Sequence, residues 1–325
     1  MAVRFGRVIA MCAGLCFGST AAYAAAADTV DDHLKAARAA AGLDFAGVMV
    51  GTCVPPETGG GGGPRVVPDR ATWYSEPAKM FDNLYFLGTK IHSSWALNTS
   101  DGIILIDTLF DYTIEDEIIG GLKKLCLDPA KIKYVLISHG HGDHDEGAAI
   151  LQQRYGAKVV MGGPDWDNVE KMTNKPGGKP KRDIVAMDGQ KITLGDTTVT
   201  LVSTPGHTPG TTSFIFNVKD NGKPLTVAYS GGTALQVIYK DPAKLQGYVD
   251  TQAKFGRLAK EAGATILMTN HSVFDNAATR ARLVGLRKPG EAHPFEIGAE
   301  GVARYLTVMS ECAKAQMARL KTPSS

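Results

Sequence analysis

Ser138-His139-Gly140-His141-Gly142-Asp143-His144-Asp145-Glu146-Gly147 places three imidazoles and a carboxylate within one short loop. The apolar run before it, residues 134–138, reads as a buried strand that delivers this loop to a sheet edge. His139, His141 and Asp143 point the same way if the chain stays extended. Gly140 and Gly142 let it turn, so that the ligand groups can be divided between two centres. Zinc takes nitrogen ligands in a tetrahedral shell, and a catalytic zinc leaves one position to water. With 8 histidines in 325 residues, such a concentration is a poor fit to an incidental polar loop.

Two more histidines stand at similar places. His207 lies in Ser203-Thr204-Pro205-Gly206-His207-Thr208-Pro209-Gly210, after an expected strand at 199–203. His271 follows an expected strand at 265–269. Further strands are expected at 84–87, 95–98, 103–107, 158–161, 184–186, 191–194, 213–218 and 226–230. Helical spacing marks 28–43, 113–125, 145–155, 242–262 and 301–320. Residues 53–68, with Pro55-Pro56 and the run Gly59 to Gly63, read as a loop. That run lacks the Lys-Ser/Thr of a phosphate-binding loop. Strands grouped with flanking helices predict an α/β fold of two packed sheets with helices outside.

The first residues differ in kind from the rest. Arg4 and Arg7 precede a short apolar run and then Ala22-Tyr23-Ala24, the pattern of a secretory signal peptide cleaved near residue 24. The expected organisation is a signal peptide at 1–24, an N-terminal extension with the glycine-rich loop at 25–70, and one large domain carrying the histidine cluster at 71–325. A periplasmic or secreted location follows. The formal net charge of +2 rests on Arg4 and Arg7, so the processed chain is neutral, which argues against a nucleic-acid partner. The remaining chain offers no second candidate for a membrane span. Cys53, Cys126 and Cys312 stay after processing; they allow one disulfide, and spacing does not choose the pair.

The HxHxDH loop followed by a Thr-Pro-Gly-His-Thr-Pro-Gly turn resembles the metallo-β-lactamase superfamily over residues 72–276. The resemblance implies a four-layer αβ/βα sandwich with two zinc ions at one edge. Glyoxalase II and the quorum-signal lactonases of that superfamily place a bridging aspartate after the strand equivalent to 226–230. Here the place reads Ser230-Gly231-Gly232-Thr233, with no carboxylate and no cysteine. The chain is therefore most similar to the third, all-histidine subclass of zinc β-lactamases, in which a late histidine completes the set; His271 fits that position. Asn83 to Thr89 also resembles the start of that subclass.

Carried over, the resemblance gives His139, His141 and His207 to the first zinc and Asp143, His144 and His271 to the second. Asp143 would also orient the water nucleophile, whose pKa the two metals lower. The expected substrate is a small molecule with a cyclic amide, a β-lactam first; a lactone, ester or other metabolite is the alternative. A non-catalytic zinc-binding protein is a third reading, and the complete ligand set argues against it. Asp145 and Glu146 add two acids beside the metals, Asp145 reading foremost as an acid favoured by the dipole at a helix N-terminus, and Gly232 and Ala234 offer no hydroxyl to a substrate carboxylate; if the two acids face the cleft, anionic substrates are expected to bind weakly. His92, Trp95 and His293 could line the pocket but read first as packing or surface residues, and His33 as solvent-exposed.

Overall fold

The computed structural model describes Met1, residues 28–55 and residues 65–321. The remainder of the expected signal peptide and the run Gly59 to Gly63 lie outside the described residues. Among the described residues no helix is long and apolar enough to cross a membrane.

Seven strands form the first sheet in sequence order: β1 (Ala78–Lys79), β2 (Leu84–Phe86), β3 (Trp95–Thr99), β4 (Gly102–Ile106), β5 (Ile132–Leu136), β6 (Lys158–Gly162) and β7 (Ile184–Ala186). Pairing is antiparallel as far as β4 and parallel from β4 onward. Parallel strands are covered on both faces, and β4, read as Gly-Ile-Ile-Leu-Ile, is buried throughout. The second sheet contains β8 (Lys191–Leu194), β9 (Thr197–Ser203), β10 (Thr212–Asp220), β11 (Lys223–Ser230) and β12 (Ile266–Thr269), in the order β12-β11-β10-β9-β8. β10 and β11 run longer than expected because Asn221 and Gly222, with φ of 51° and 80°, close a tight hairpin. That left-handed pair matches the twist of the flanking strands.

Leu84, Phe86, Trp95, Leu97, Ile104 and Leu136 of the first sheet meet Val199, Leu201, Phe214, Phe216, Tyr229 and Met268 of the second in one core. The outer face of the first sheet packs Leu105, Val135 and Met161 against Ile118, Leu122 and Trp166. On the other side, Val202, Ala228 and Leu267 pack on helices Pro242–Glu261 and Gly298–Lys321 through Tyr248, Phe255, Tyr305 and Met309. Four layers result, helix–sheet–sheet–helix, as the sandwich reading requires.

Local departures have local causes. The helix expected at 113–125 is a 3₁₀ turn at Asp111–Thr113, a wider π-helical stretch at Ile114–Ile119, and an α-helical end at Gly120–Lys124. The wider winding turns both Ile118 and Ile119 into the core. The helix expected at 145–155 is divided into Gly142–Asp145 and Ala148–Tyr155. At the break Gly147 donates its N–H to Thr108 Oγ1 at 3.0 Å, and a Cβ there would lie 2.3 Å from Ile114 Cδ1. Helices Ala46–Cys53, Gly163–Lys171 and Ala277–Leu286 escaped the sequence reading. Ala-Gly-Val-Met-Val-Gly-Thr-Cys, for one, has weak intrinsic helix propensity, and its helix is held by packing.

The N-terminal residues are built into the outer layer. Thr29 and Asp32 form a reciprocal capping box at the start of Val30–Ala41, and both early helices pack on Gly298–Lys321. His33, expected in solvent, is largely buried there, with Nδ1 2.7 Å from Glu311 Oε2. Cys53 and Cys312 form a disulfide across 259 residues, and Cys126 is free and exposed. A crosslink closing so long a loop contributes roughly 2–5 kcal/mol. Reduction, or the Cys53→Ala/Cys312→Ala pair, is expected to lower Tm by roughly 5–15 °C in a calorimetric scan; an unchanged Tm would show that helix packing alone holds the two ends together.

Candidate metal centre

The candidate ligands stand at strand ends on one edge of the sandwich. β5 runs through Ile137 and Ser138 into His139; the chain after β9 carries His207; the chain after β12 carries His271. The sheets are stitched together at this edge, where Thr212 N donates to Ser138 O at 2.8 Å. Asp107, just past β4 and fully buried, is the fixed point below the ligands. Its carboxylate accepts from Ser138 N (2.7 Å), Ser138 Oγ (2.8 Å) and Tyr229 OH (3.2 Å), and lies 3.0 Å from His144 Nδ1. Its φ of 58° is a left-handed conformation that Asp and Asn tolerate best among residues with a side chain.

Second-nitrogen contacts set the ring orientations. His139 Nδ1 donates to Gly231 O at 2.9 Å and His207 Nδ1 to Ala234 O at 2.6 Å. Thr233 Oγ1 donates to Asn270 Oδ1 (2.9 Å) and so accepts from His271 Nδ1 (2.8 Å). Each Nε2 then faces inward. His207 Nε2 lies 3.1 Å from His141 Nδ1, and His144 Nε2 lies 3.3 Å from His271 Nε2. Asp143 Oδ2 is 3.1 Å from His144 Nε2 and 3.0 Å from His271 Nε2. His139, His141 and His207 thus form one set of converging donors; Asp143, His144 and His271 converge as a second, and Asp143 also groups with His92 and His271 and with His139 and His144.

Three observations fit a metal. His139 Nε2 is buried without a hydrogen-bond partner, a cost of about 1–3 kcal/mol if nothing else satisfies it. The donor separations match the roughly 3.3 Å edges of a tetrahedron whose ligands lie 2.0–2.1 Å from zinc. The electrostatics of the first donor set also suit a metal. Burial pushes His139 well below the usual imidazole range and His207 down to about 3, leaving both neutral. Burial opposes charge on His144 as well, yet Asp143 and Asp107 on either side push it up to about 10.

Several residues stand elsewhere than expected. His92, read as packing or surface, joins the centre, with Nε2 3.4 Å from Asp143 Oδ2 and its ring 5.3 Å from that of His271. As a lone histidine before a strand, it lacked the HxH spacing that exposed the others. Asp145 and Glu146 do not present free charge to a substrate. Asp145 is fully buried against Lys175, and Glu146 pairs with Arg65 at 2.6 Å. The expected repulsion of anionic substrates is thereby withdrawn. Trp95 lies in the core, and His293 stacks on Phe81 at 3.9 Å, as packing residues. Asp107, Thr233 and Asn270 were missed; the one signal available was an acid closing the apolar run of β4. Gly231 is sterically fixed, since a Cβ there would lie 2.0 Å from Thr212 O. No carboxylate can bridge from that position.

Two clefts flank the cluster. One, about 570 Å³, lies between Pro205 to Pro209 and helix Gly163–Lys171 and reaches His141 and His207. The other, about 320 Å³, reaches His271 and is walled by Val48, Ile91, Val273 and Phe274.

Residues 87–221 match the family model of the metallo-β-lactamase superfamily. The N-acyl homoserine lactonase AttM of Agrobacterium fabrum is 33% identical over 165 residues, 46% of this chain and 62% of the lactonase. The hydroxyacylglutathione hydrolase of Acidiphilium cryptum is 33% identical over 86 residues, 26% of this chain and 31% of that enzyme. The chain thus matches less than two thirds of the length of either curated relative. Among solved structures, BJP-1, a subclass B3 metallo-β-lactamase of Bradyrhizobium japonicum, superposes with a TM-score of 0.64 at 28% identity, covering 78% of this chain and 97% of that one.

The role given to Asp107 can be checked directly. Asp107→Asn keeps shape and backbone but removes the charge facing His144, and is expected to weaken metal binding by roughly 10–100-fold with the circular-dichroism spectrum intact. Wild-type affinity in a chelator competition would leave Asp107 a purely structural residue.

Proposed function

From the premise that residues 87–221 form a metallo-β-lactamase superfamily domain, we propose that the protein is a dinuclear zinc hydrolase that opens a small cyclic amide, with β-lactams the leading class. The observation that carries this reading is the second donor set. With Gly231 closed to any side chain, His271 stands against Asp143 and His144 where a bridging carboxylate is absent. That favours the all-histidine β-lactamase pattern, and the likeness to a subclass B3 enzyme supports it.

His139, His141 and His207 would hold one zinc, and Asp143, His144 and His271 the other. Zinc bound there supplies Lewis acidity and a water acidified toward neutral pH. The chain does the rest. Gly231 O, Ala234 O, Thr233 and Asp107 hold four rings by their outer nitrogens, so the site is organised before substrate arrives. Asp143, whose side chain keeps partial exposure, would accept a hydrogen bond from the attacking water and direct it at the carbonyl. The two clefts admit the substituents on either side of the scissile bond.

A lactone is the second reading, favoured by the 33% identity to a lactonase and by the apolar wall of Val48, Ile91, Val273 and Phe274, which suits an uncharged acyl substituent. The expected signal peptide and the Cys53–Cys312 disulfide support an oxidising, periplasmic or extracellular location.

Metal analysis of the purified chain is expected to give about two zinc ions per molecule; one or none would overturn the dinuclear assignment. A hydrolysis panel of a chromogenic cephalosporin, an acyl homoserine lactone and an aryl ester separates the substrate readings. Measurable β-lactam opening, abolished by chelation and restored by zinc, is expected. Gly232 and Ala234 supply no hydroxyl for a substrate carboxylate, which costs on the order of 10- to 100-fold in kcat/KM against an enzyme that has one. Fast lactone cleavage with no β-lactam turnover would transfer the assignment to the second reading.

A further inference from the structure

We propose that His92 is a fourth protein ligand of the second metal position, beside Asp143, His144 and His271; the assignment rests on the dinuclear reading above. Three nitrogens approach one carboxylate oxygen: Asp143 Oδ2 lies 3.4 Å from His92 Nε2, 3.1 Å from His144 Nε2 and 3.0 Å from His271 Nε2. The His92 separation is that of two ligands sharing one tetrahedral ion, roughly 3.3 Å. His92, Asp143 and His271 also offer donor atoms that all lie within 4.8 Å of one another.

The ring is held in place rather than swung in from the surface. The turn that carries it is closed by Thr89 N donating to His92 O at 2.7 Å, and by Ile91 N and His92 N donating to Thr89 Oγ1 at 3.1 and 2.9 Å. That turn is tied to the segment bearing His271 at two points, Ser93 N to Asn270 O (2.9 Å) and Ser272 Oγ to Thr89 O (2.6 Å). The edge of Phe110 meets the imidazole at 5.3 Å and 90°. Ordering entropy for a ligand is thus spent in folding and not again on binding.

Four protein donors would close the second position, the arrangement of zinc sites that hold rather than react. Three histidines at the first position leave a coordination place for substrate. The two positions would then divide the work, the second retaining its ion and shaping the cleft, the first meeting the carbonyl.

The test compares wild type, His92→Ala and His92→Phe in the full chain. Zinc affinities are measured for both ions by chelator competition, and the cobalt-substituted absorption spectrum is recorded. His92→Phe keeps a ring beside Phe110, so a loss common to both variants is the loss of the nitrogen. Affinity for the second ion is expected to fall by roughly 100-fold or more, above the 10–100-fold typical of an outer hydrogen-bond partner. First-ion affinity should be unchanged, and the ligand-field bands of the second cobalt should move. Added imidazole should restore the second ion to His92→Ala. Wild-type affinity and cobalt spectrum in both variants would overturn the assignment, even if turnover falls, because His92 would then only position Asp143. A wild-type chain that binds fewer than two ions would instead overturn the dinuclear reading beneath it.

Discussion

A single buried carboxylate governs how the two sheets meet. Asp107 sits at the end of β4, accepts from Ser138 at the end of β5, reaches Tyr229 on β11 in the opposite sheet, and faces the outer nitrogen of His144. A buried charge is costly unless nearly all of its lone pairs are engaged. The partners of Asp107 come from both halves of the sandwich, so it is satisfied only when both are assembled. Its satisfaction fixes the tautomer and direction of one ligand, and through Ser138 the point where the ligand loop leaves the sheet. Fold and chemistry share this constraint.

The same economy recurs around the cluster. Asp165, nearly fully buried, accepts from Gly140 N, Thr208 Oγ1 and Gly210 N, joining the loop of His141 to that of His207. Asn270 donates to Gly231 O, the carbonyl that also receives His139. The ligand loops therefore behave as one unit, because each is hydrogen-bonded to the next. This is how a site assembled from widely separated strand ends can hold donor atoms at metal-ligand spacing.

Much of this could be read from the sequence, for physical reasons that differ by residue. His139, His141, Asp143 and His144 betray themselves by local density, and His207 by its Pro-Gly turn. Strands such as β4 and β5 are apolar runs with no other sensible home. Half of the orienting groups were invisible because they are backbone carbonyls: Gly231 and Ala234 act through oxygens that every residue possesses. Long-range pairings were invisible too. Lys175 neutralises Asp145, and Arg65 reaches Glu146, across stretches of chain whose only link is the fold. The early helix Ala46–Cys53 was missed since small and β-branched residues carry little helical signal without the surface they pack on.

That helix supplies Val48 to the wall beside His271, and its last residue, Cys53, is bonded to Cys312 on the C-terminal helix. One side of the cleft is therefore made by a helix that precedes every candidate ligand in the chain and anchored to one that follows them all. The wall beside His271 is set only once helix Gly298–Lys321 has docked on Ala46–Cys53 and Cys53 has met Cys312.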